Sequence, residues 1–398
     1  MHRRFRPAWA AAVALAACAA AAAPAQDDDL AKALATLKGV TKGGATNDAA
    51  GPAWKAVVDA GAPAFFPALA AVDDTNPTAA NWLRSAAEAV AEKEKKAGKA
   101  LDAKALEAFV LDAKKAPSAR RLAYEVLAAQ DAAAPVRVLP KLLDDTQPDL
   151  RREAIAYAAN RLEMFSVGAT LDDQKMAYGK LFAATRDKDQ AEELAKKLDE
   201  FKAPVSVTEH FAFLTHFRVV GPFFSEKGKA LSLTYPPEAT PDPAAEYAGK
   251  DDAKVKWAPQ ATADRYGQLD LNDKVGRLKN ACVYALAVVH ADKDTPAEIR
   301  VGSPNAVAIF LNGKKLFGRE EYHHGDQMDY HTGRGVLKAG ENAVVVKVCQ
   351  NNQTDSWAQR WQFQARVCDA TGGPLPGLTQ VVNGARVPLG RTQPEGKK

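Results

Sequence analysis

Near residue 203 the periodicity of the chain changes, and no single layer architecture accommodates both sides of that change. From about residue 30 to 200, Ala, Leu, Lys and Glu dominate and apolar residues recur at helical spacing. Beyond 203, Pro and Gly rise, and β-branched and aromatic residues gather in short runs. The sequence therefore predicts a multidomain α plus β protein, with a helical solenoid over 26–202 and an all-β sandwich over 203–370. At 398 residues there is ample chain for two cores.

In the first part a turn followed by a helix recurs. Asp73-Asp74-Thr75-Asn76-Pro77 is matched 71 residues later by Asp144-Asp145-Thr146-Gln147-Pro148, and Lys115-Ala116-Pro117 holds a similar place between them. Asp or Thr caps exposed amides at a helix start, and Pro loses nothing in the first turn because its missing N–H would be unpaired there. Proline intervals of 40 and 31 residues fit a helical-hairpin repeat with one shortened unit. Leu150, Ala154, Ile155, Ala158 and Leu162 fall on one helix face. Val138-Leu139-Pro140-Lys141-Leu142-Leu143-Asp144-Asp145 through Arg151-Arg152-Glu153-Ala154 resembles HEAT repeats, well over 135–163 and more loosely over 63–91 and 103–130. That resemblance implies a scaffold presenting an extended surface to a protein partner, with no chemistry of its own. Arg120, Arg121, Arg151 and Arg152 read as a binding stripe or as solvated repeat positions, the second being preferred because Arg is mostly exposed.

In the second part eight strands are predicted, at 217–220, 281–290, 298–301, 307–311, 315–317, 335–337, 343–349 and 362–368. Asn312-Gly313 supplies the positive φ of a tight hairpin. Short strands with irregular loops indicate a two-sheet sandwich. The proline-rich stretch 235–243 predicts an extended loop over it, anchored by Trp257. The tail 371–398, with Gly372-Gly373-Pro374 and Pro376-Gly377, lacks apolar periodicity and predicts a flexible segment.

Phe217-Arg218-Val219-Val220-Gly221-Pro222-Phe223, Tyr235-Pro236-Pro237-Glu238, Ile309-Phe310-Leu311-Asn312-Gly313 and Gly340-Glu341-Asn342-Ala343-Val344-Val345-Val346 together resemble galactose-binding-like jelly-roll modules over roughly 205–370. Such modules accompany glycoside hydrolases and hold sugars in end loops or on a concave face, so the resemblance implies a sandwich for glycan or protein contact. With Gln350-Asn351-Asn352-Gln353-Thr354 and Trp357-Ala358-Gln359-Arg360-Trp361 added, the chain resembles secreted planctomycete-type proteins that join HEAT-like repeats to such a sandwich. That relation implies an architecture rather than an activity.

Residues 1–25 read as an export signal: Arg3, Arg4 and Arg6, an apolar stretch over 10–17, then Ala23-Pro24-Ala25 before Gln26. Leu15-Ala16-Ala17-Cys18 also fits a bacterial lipobox, in which Cys18 would carry the lipid of an anchored lipoprotein. Either route leads to the periplasm, envelope or exterior. Without 1–25 the net charge falls from +4 to +1; residues 26–200 hold 25 basic against 28 acidic side chains, and 201–398 hold 25 against 21. Neither half has the positive field that nucleic acid binding requires. No later run reaches the length of a membrane span. Cys282, Cys349 and Cys368 read as small buried hydrophobes, with one bridge open to them in an oxidising compartment.

Nucleophile-elbow, Walker, dinucleotide and zinc-spacing signatures are missing from the sequence, so no catalytic residue and no required cofactor are expected. The binding candidate is the 350–361 loop. There Asn351, Gln353 and Asp355 offer amides and a carboxylate to sugar hydroxyls, and Trp357 with Trp361 offers an apolar plate to a sugar ring. A second cluster, His323, His324, Asp326, Asp329 and His331, lies within nine residues. Its imidazoles suit a divalent transition metal and its carboxylates a structural calcium; a metal-dependent hydrolase would work from this loop. The simpler expectation is a polar inter-strand loop with exposed histidines. A purely structural envelope protein is the third reading.

Overall fold

The computed structural model describes residues 23–44, 47–165, 168–325 and 327–392. Cys18 and most of the leader, and Asp326 of the histidine loop, lie outside them. Helices occupy the first half: α1 (Ala23–Lys38), α2 (Asn47–Ala60), α3 (Ala62–Ala70), α4 (Pro77–Lys96), α5 (Ala103–Leu111), α6 (Pro117–Gln130), α7 (Ala134–Val138), α8 (Pro148–Phe165), α9 (Leu171–Ala184) and α10 (Lys188–Glu200). α4, α6 and α8 each begin on a proline that the sequence singles out. Asn76 caps α4, its side chain accepting from Ala79 N at 3.3 Å, and Gln147 Oε1 accepts from Leu150 N at 2.8 Å in the first turn of α8. The chain divides into two compact units, 1–154 and 155–398, so the division falls within α8 rather than at 202/203.

In the first unit α3 packs on α4 and α5 on α6, burying Leu69, Leu83, Val90, Leu106, Val110 and Leu127. The recurring turns connect successive helix pairs. Asp74 accepts from Ser118 N at 3.1 Å and from Ser118 Oγ at 2.5 Å, at the start of α6. Asp145 accepts two bonds from the Arg120 guanidinium, at 2.9 and 2.6 Å, while Arg120 Nε donates to Val110 O at 2.7 Å. The expectation of solvated arginines is therefore corrected for Arg120, which is 1% exposed, and for the buried Arg151, whose Nη1 donates to Asp145 O at 2.7 Å. A guanidinium leaves water only where acceptors meet it, and the turn before α8 supplies them. Arg121 is paired with Glu125 at 2.7 Å and with Glu153, and Arg152 is exposed as expected.

The second unit adds antiparallel strands β1 (His216–Phe224), β2 (Glu246–Ala248), β3 (Lys254–Lys256), β4 (Ala258–Ala261), β5 (Leu269–Asp270), β6 (Ala281–Ala291), β7 (Thr295–Gly302), β8 (Ala306–Leu311), β9 (Lys314–Arg319), β10 (His331–Leu337), β11 (Gly340–Gln350), β12 (Gln362–Cys368), β13 (Thr379–Val382) and β14 (Ala385–Pro388). The larger sheet runs β14-β13-β6-β11-β8-β9, with β1 also paired to β6 and β4 to β1; a second runs β10-β7-β12-β5, and β2 pairs with β3 alone. The main core lies between the first two. Ala285, Ala287, Val344, Val346 and Val348 of the larger sheet meet Ile299, Val301, Trp361, Phe363 and Val367.

β6 reads as an unbroken apolar run because its outer face is covered too. Cys282, Tyr284 and Leu286 face a second core holding Phe223, Val255 and Trp257, so the segment after β1 covers the sheet and Trp257 anchors it. At Asn312-Gly313 φ is +51° and +77°, the tight turn expected between β8 and β9.

The expectation of a flexible tail is corrected for residues 371–392; residues 393–398 lie outside the described residues. β13 pairs with β6 at Thr379↔His290 and Gln380↔Val289, and β14 pairs with β13. Leu378 and Leu389 join the main core, and Gly390 N donates to Phe213 O at 2.7 Å. Two buried leucines and a sheet edge to complete outweigh the cost of ordering this segment. Among the described residues no helix is long and apolar enough to cross a membrane.

Candidate functional site

β11 ends at Gln350, and the chain crosses to β12 through a loop that its own amides fix. Gln350 Nε2 donates to Arg360 O at 3.2 Å, Asn305 Nδ2 donates to Gln350 Oε1 at 3.3 Å, and Lys279 Nζ donates to Ala358 O at 2.8 Å. Gln359 Nε2 donates to Thr354 O at 2.7 Å and to Asp355 O at 2.8 Å. Asn351 sits at the centre of the loop. Its Oδ1 accepts from His323 Nε2 and from Gln353 N, both at 3.0 Å, and its Nδ2 donates to Gln353 Oε1 at 2.8 Å. Asn351 is fully buried, so its assignment to sugar hydroxyls is corrected: its amide builds the loop. Gln353 is half-buried and shares that role, while Asp355 is exposed.

The two tryptophans separate. Trp361 is 0% exposed and its Nε1 donates to Val348 O at 3.4 Å, so it belongs to the core and its place on a ligand platform is corrected. Trp357, on the single turn Ser356–Ala358, is 59% exposed. The His323 ring stands edge-on to it, with centroids 5.3 Å apart and planes at 85°. His323 holds a φ of +58°, a left-handed conformation uncommon outside glycine, and its N donates to Pro304 O at 2.6 Å. Burial lowers the His323 pKa; the bond to Asn351 opposes this, and the Lys279 charge adds to the lowering. Burial likewise lowers Lys279, with the Asp355 charge acting against it. The corner thus presents an indole face beside a neutral imidazole, a carboxylate and an ammonium. Lys279 and His323 were not among the residues that sequence reasoning linked to Trp357; they come from the β5–β6 and β9–β10 connections, and only the fold brings them there.

Among the described residues of the second cluster, His323, His324, Asp329 and His331, each side chain has its own surroundings. Asp329 is held by Arg366, at 2.7 and 2.5 Å, and by Arg300 at 3.0 Å. Burial raises its carboxyl, but these bonds and charges outweigh it and hold Asp329 below the ordinary carboxylate range. His323 is bonded to Asn351, and His324 stacks on Tyr330 at 4.3 Å. His331 is 1% exposed, points between the sheets beside Phe317, and has neither ring nitrogen hydrogen-bonded. The expectation of exposed histidines is therefore corrected for His331. Among the described residues no three His, Cys, Asp or Glu side chains converge on one point.

No protein-family model matches the sequence, and no curated protein does. Among solved structures, an anti-sigma factor domain-containing protein from Clostridium clariflavum aligns over 44% of this chain and 45% of its own, at 10% identity and TM-score 0.21. A β-glucosidase from Kluyveromyces marxianus, in complex with glucose, aligns over 56% of this chain and 32% of its own, at 10% identity and TM-score 0.25. The GH31 α-xylosidase from Xanthomonas citri aligns over 28% of this chain and 15% of its own, at 10% identity and TM-score 0.17. This chain spans less than half the length of each. Likenesses at these scores carry no argument.

Proposed function

We propose that this chain is an exported, non-catalytic binding protein: HEAT-like repeats engage a protein partner, and a jelly-roll sandwich takes a glycan at the Trp357 corner. The observation that carries the glycan reading is the exposed indole of Trp357 on a loop whose own polar groups are consumed in holding it still. A rigid aromatic plate accepts the apolar face of a sugar ring with little ordering cost, and Asp355 and Lys279 stand beside it for hydroxyls. The planctomycete-type resemblance agrees with export and with the joining of these two parts. The histidine loop carries no second reading, since Asp329, His323 and His331 each have another place in the fold.

The test is a polysaccharide pull-down and glycan array with the full chain and Trp357→Ala. Saturable binding that falls at least about tenfold in the variant supports the reading. Binding indifferent to the variant, or none by a folded sample, returns the sandwich to a structural or protein-docking role.

A further inference from the structure

Cys282 and Cys349 are direct partners in the antiparallel register of β6 and β11. Directly opposed residues place their Cα atoms about 4.5 to 5.5 Å apart with side chains on one face. That lies inside the window of about 4.4 to 6.8 Å that a disulfide accepts. Both side chains lie in the outer core with Phe223 and Tyr284, and they interact thiol to thiol. The bond to Cys349, together with burial, holds the Cys282 thiol well above the usual range, while at Cys349 burial is outweighed by the bond from Cys282 and the Lys347 charge, which hold that sulfur below it. Cys368 is elsewhere: it lies on β12 of the other sheet, with Sγ 3.9 Å from Glu298 O.

We propose that Cys282 and Cys349 close a cross-strand disulfide when the chain folds under oxidising conditions, while Cys368 stays a thiol. The oxidant is a small or protein disulfide. One cysteine thiolate attacks it, forming a mixed disulfide and releasing one thiol; the partner thiolate then attacks the first cysteine's sulfur and releases the second thiol. Two electrons and two protons pass from the pair to the oxidant. Timing follows from burial. In the folded chain the two residues are 1% and 0% exposed, so exchange takes place before β1 and the segment after it cover the outer face. The bridge then fixes the register of the two long central strands across the 66 intervening residues, and the same cover shields it from reductant.

The full chain, reduced in denaturant, is refolded in a reduced and oxidised glutathione buffer or in dithiothreitol, then alkylated and mapped. The glutathione sample is expected to carry two fewer alkyl groups than the dithiothreitol sample, with a peptide linking Cys282 to Cys349 and with Cys18 and Cys368 alkylated. Its melting midpoint is expected to lie roughly 5 to 10 °C higher. Cys368→Ser should still form the link. Cys349→Ser should not; if that variant fails to fold, the wild-type and Cys368→Ser maps still decide. Full alkylation after oxidative refolding, or a bridge containing Cys368 or Cys18, overturns the proposal.

Discussion

Trp357 and Trp361 are four residues apart and do opposite work, which makes them a direct check on the account at the scale of single side chains. Trp361→Ala opens a cavity between the sheets and is expected to cost about 3 to 5 kcal/mol by chemical denaturation. Trp357→Ala is expected to stay within about 0.5 kcal/mol of wild type, because the indole is mostly in water. Equal losses would mean that both rings are structural. His331 offers a second check. Burial, helped by the charges of His324 and Arg319 and opposed by Glu321, pushes its imidazole down to about 4. The unfolded imidazole takes its proton near 6.5, so the unfolded chain binds more protons as pH falls, and stability drops between pH 6.5 and 4. His210, against Phe182 and also pushed down to about 4, behaves in the same way. His331→Leu should remove only its own part of the fall over that window, leaving the parts of His210, His216 and His323, and should not cost stability at pH 7, since it replaces an unbonded buried imidazole. A profile unchanged from wild type would show that the ring is not buried neutral.

At the scale of elements, the proline-led turns and the hairpin turns carry most of what the sequence made legible. The eight expected strands are all present, because β-branched and aromatic runs between turn residues state their own period. The tail was misread although it holds the same signal that identified β8 and β9: Asn383-Gly384, with φ of +49° and +81°, lies between Thr379–Val382 and Ala385–Pro388. Its Gly and Pro content masked a hairpin whose partner, β6, is some 90 residues away. Ending the chain at residue 377 should cost at least about 3 kcal/mol, read by chemical denaturation, because Leu378 and Leu389 leave the core and β6 loses an edge partner. A truncated chain as stable as wild type would return the tail to the role first expected of it. In the helical part, Arg120→Ala leaves Asp145 nearly buried without its partner, for an expected loss of about 3 to 5 kcal/mol in denaturant unfolding. A solvated Arg120 would give almost no change. The sequence offered no direct sign of this pair, because Arg120 and Asp145 meet only when successive hairpins stack.

For the whole molecule, the change of periodicity near residue 203 correctly announced helices followed by antiparallel sheets. The contact division lies earlier, at 154/155, since α9 and α10 group with the sandwich through contacts such as Tyr266 Oη donating to Glu192 Oε1 at 2.5 Å. The candidate site was legible only in part. Trp357 could be read as a loop aromatic, but Asn351 could not be read as buried, because its partner His323 lies on a different connection 28 residues earlier. The central claim is that this exposed indole is the contact surface of a glycan-binding sandwich. It is tested most directly by binding isotherms of full-length wild type, Trp357→Ala and Trp357→Phe against the same polysaccharide panel. The account predicts saturable binding by wild type, a loss of at least about tenfold in Trp357→Ala and partial retention in Trp357→Phe. Superimposable isotherms for wild type and Trp357→Ala, or no saturable binding by folded wild type, would contradict it.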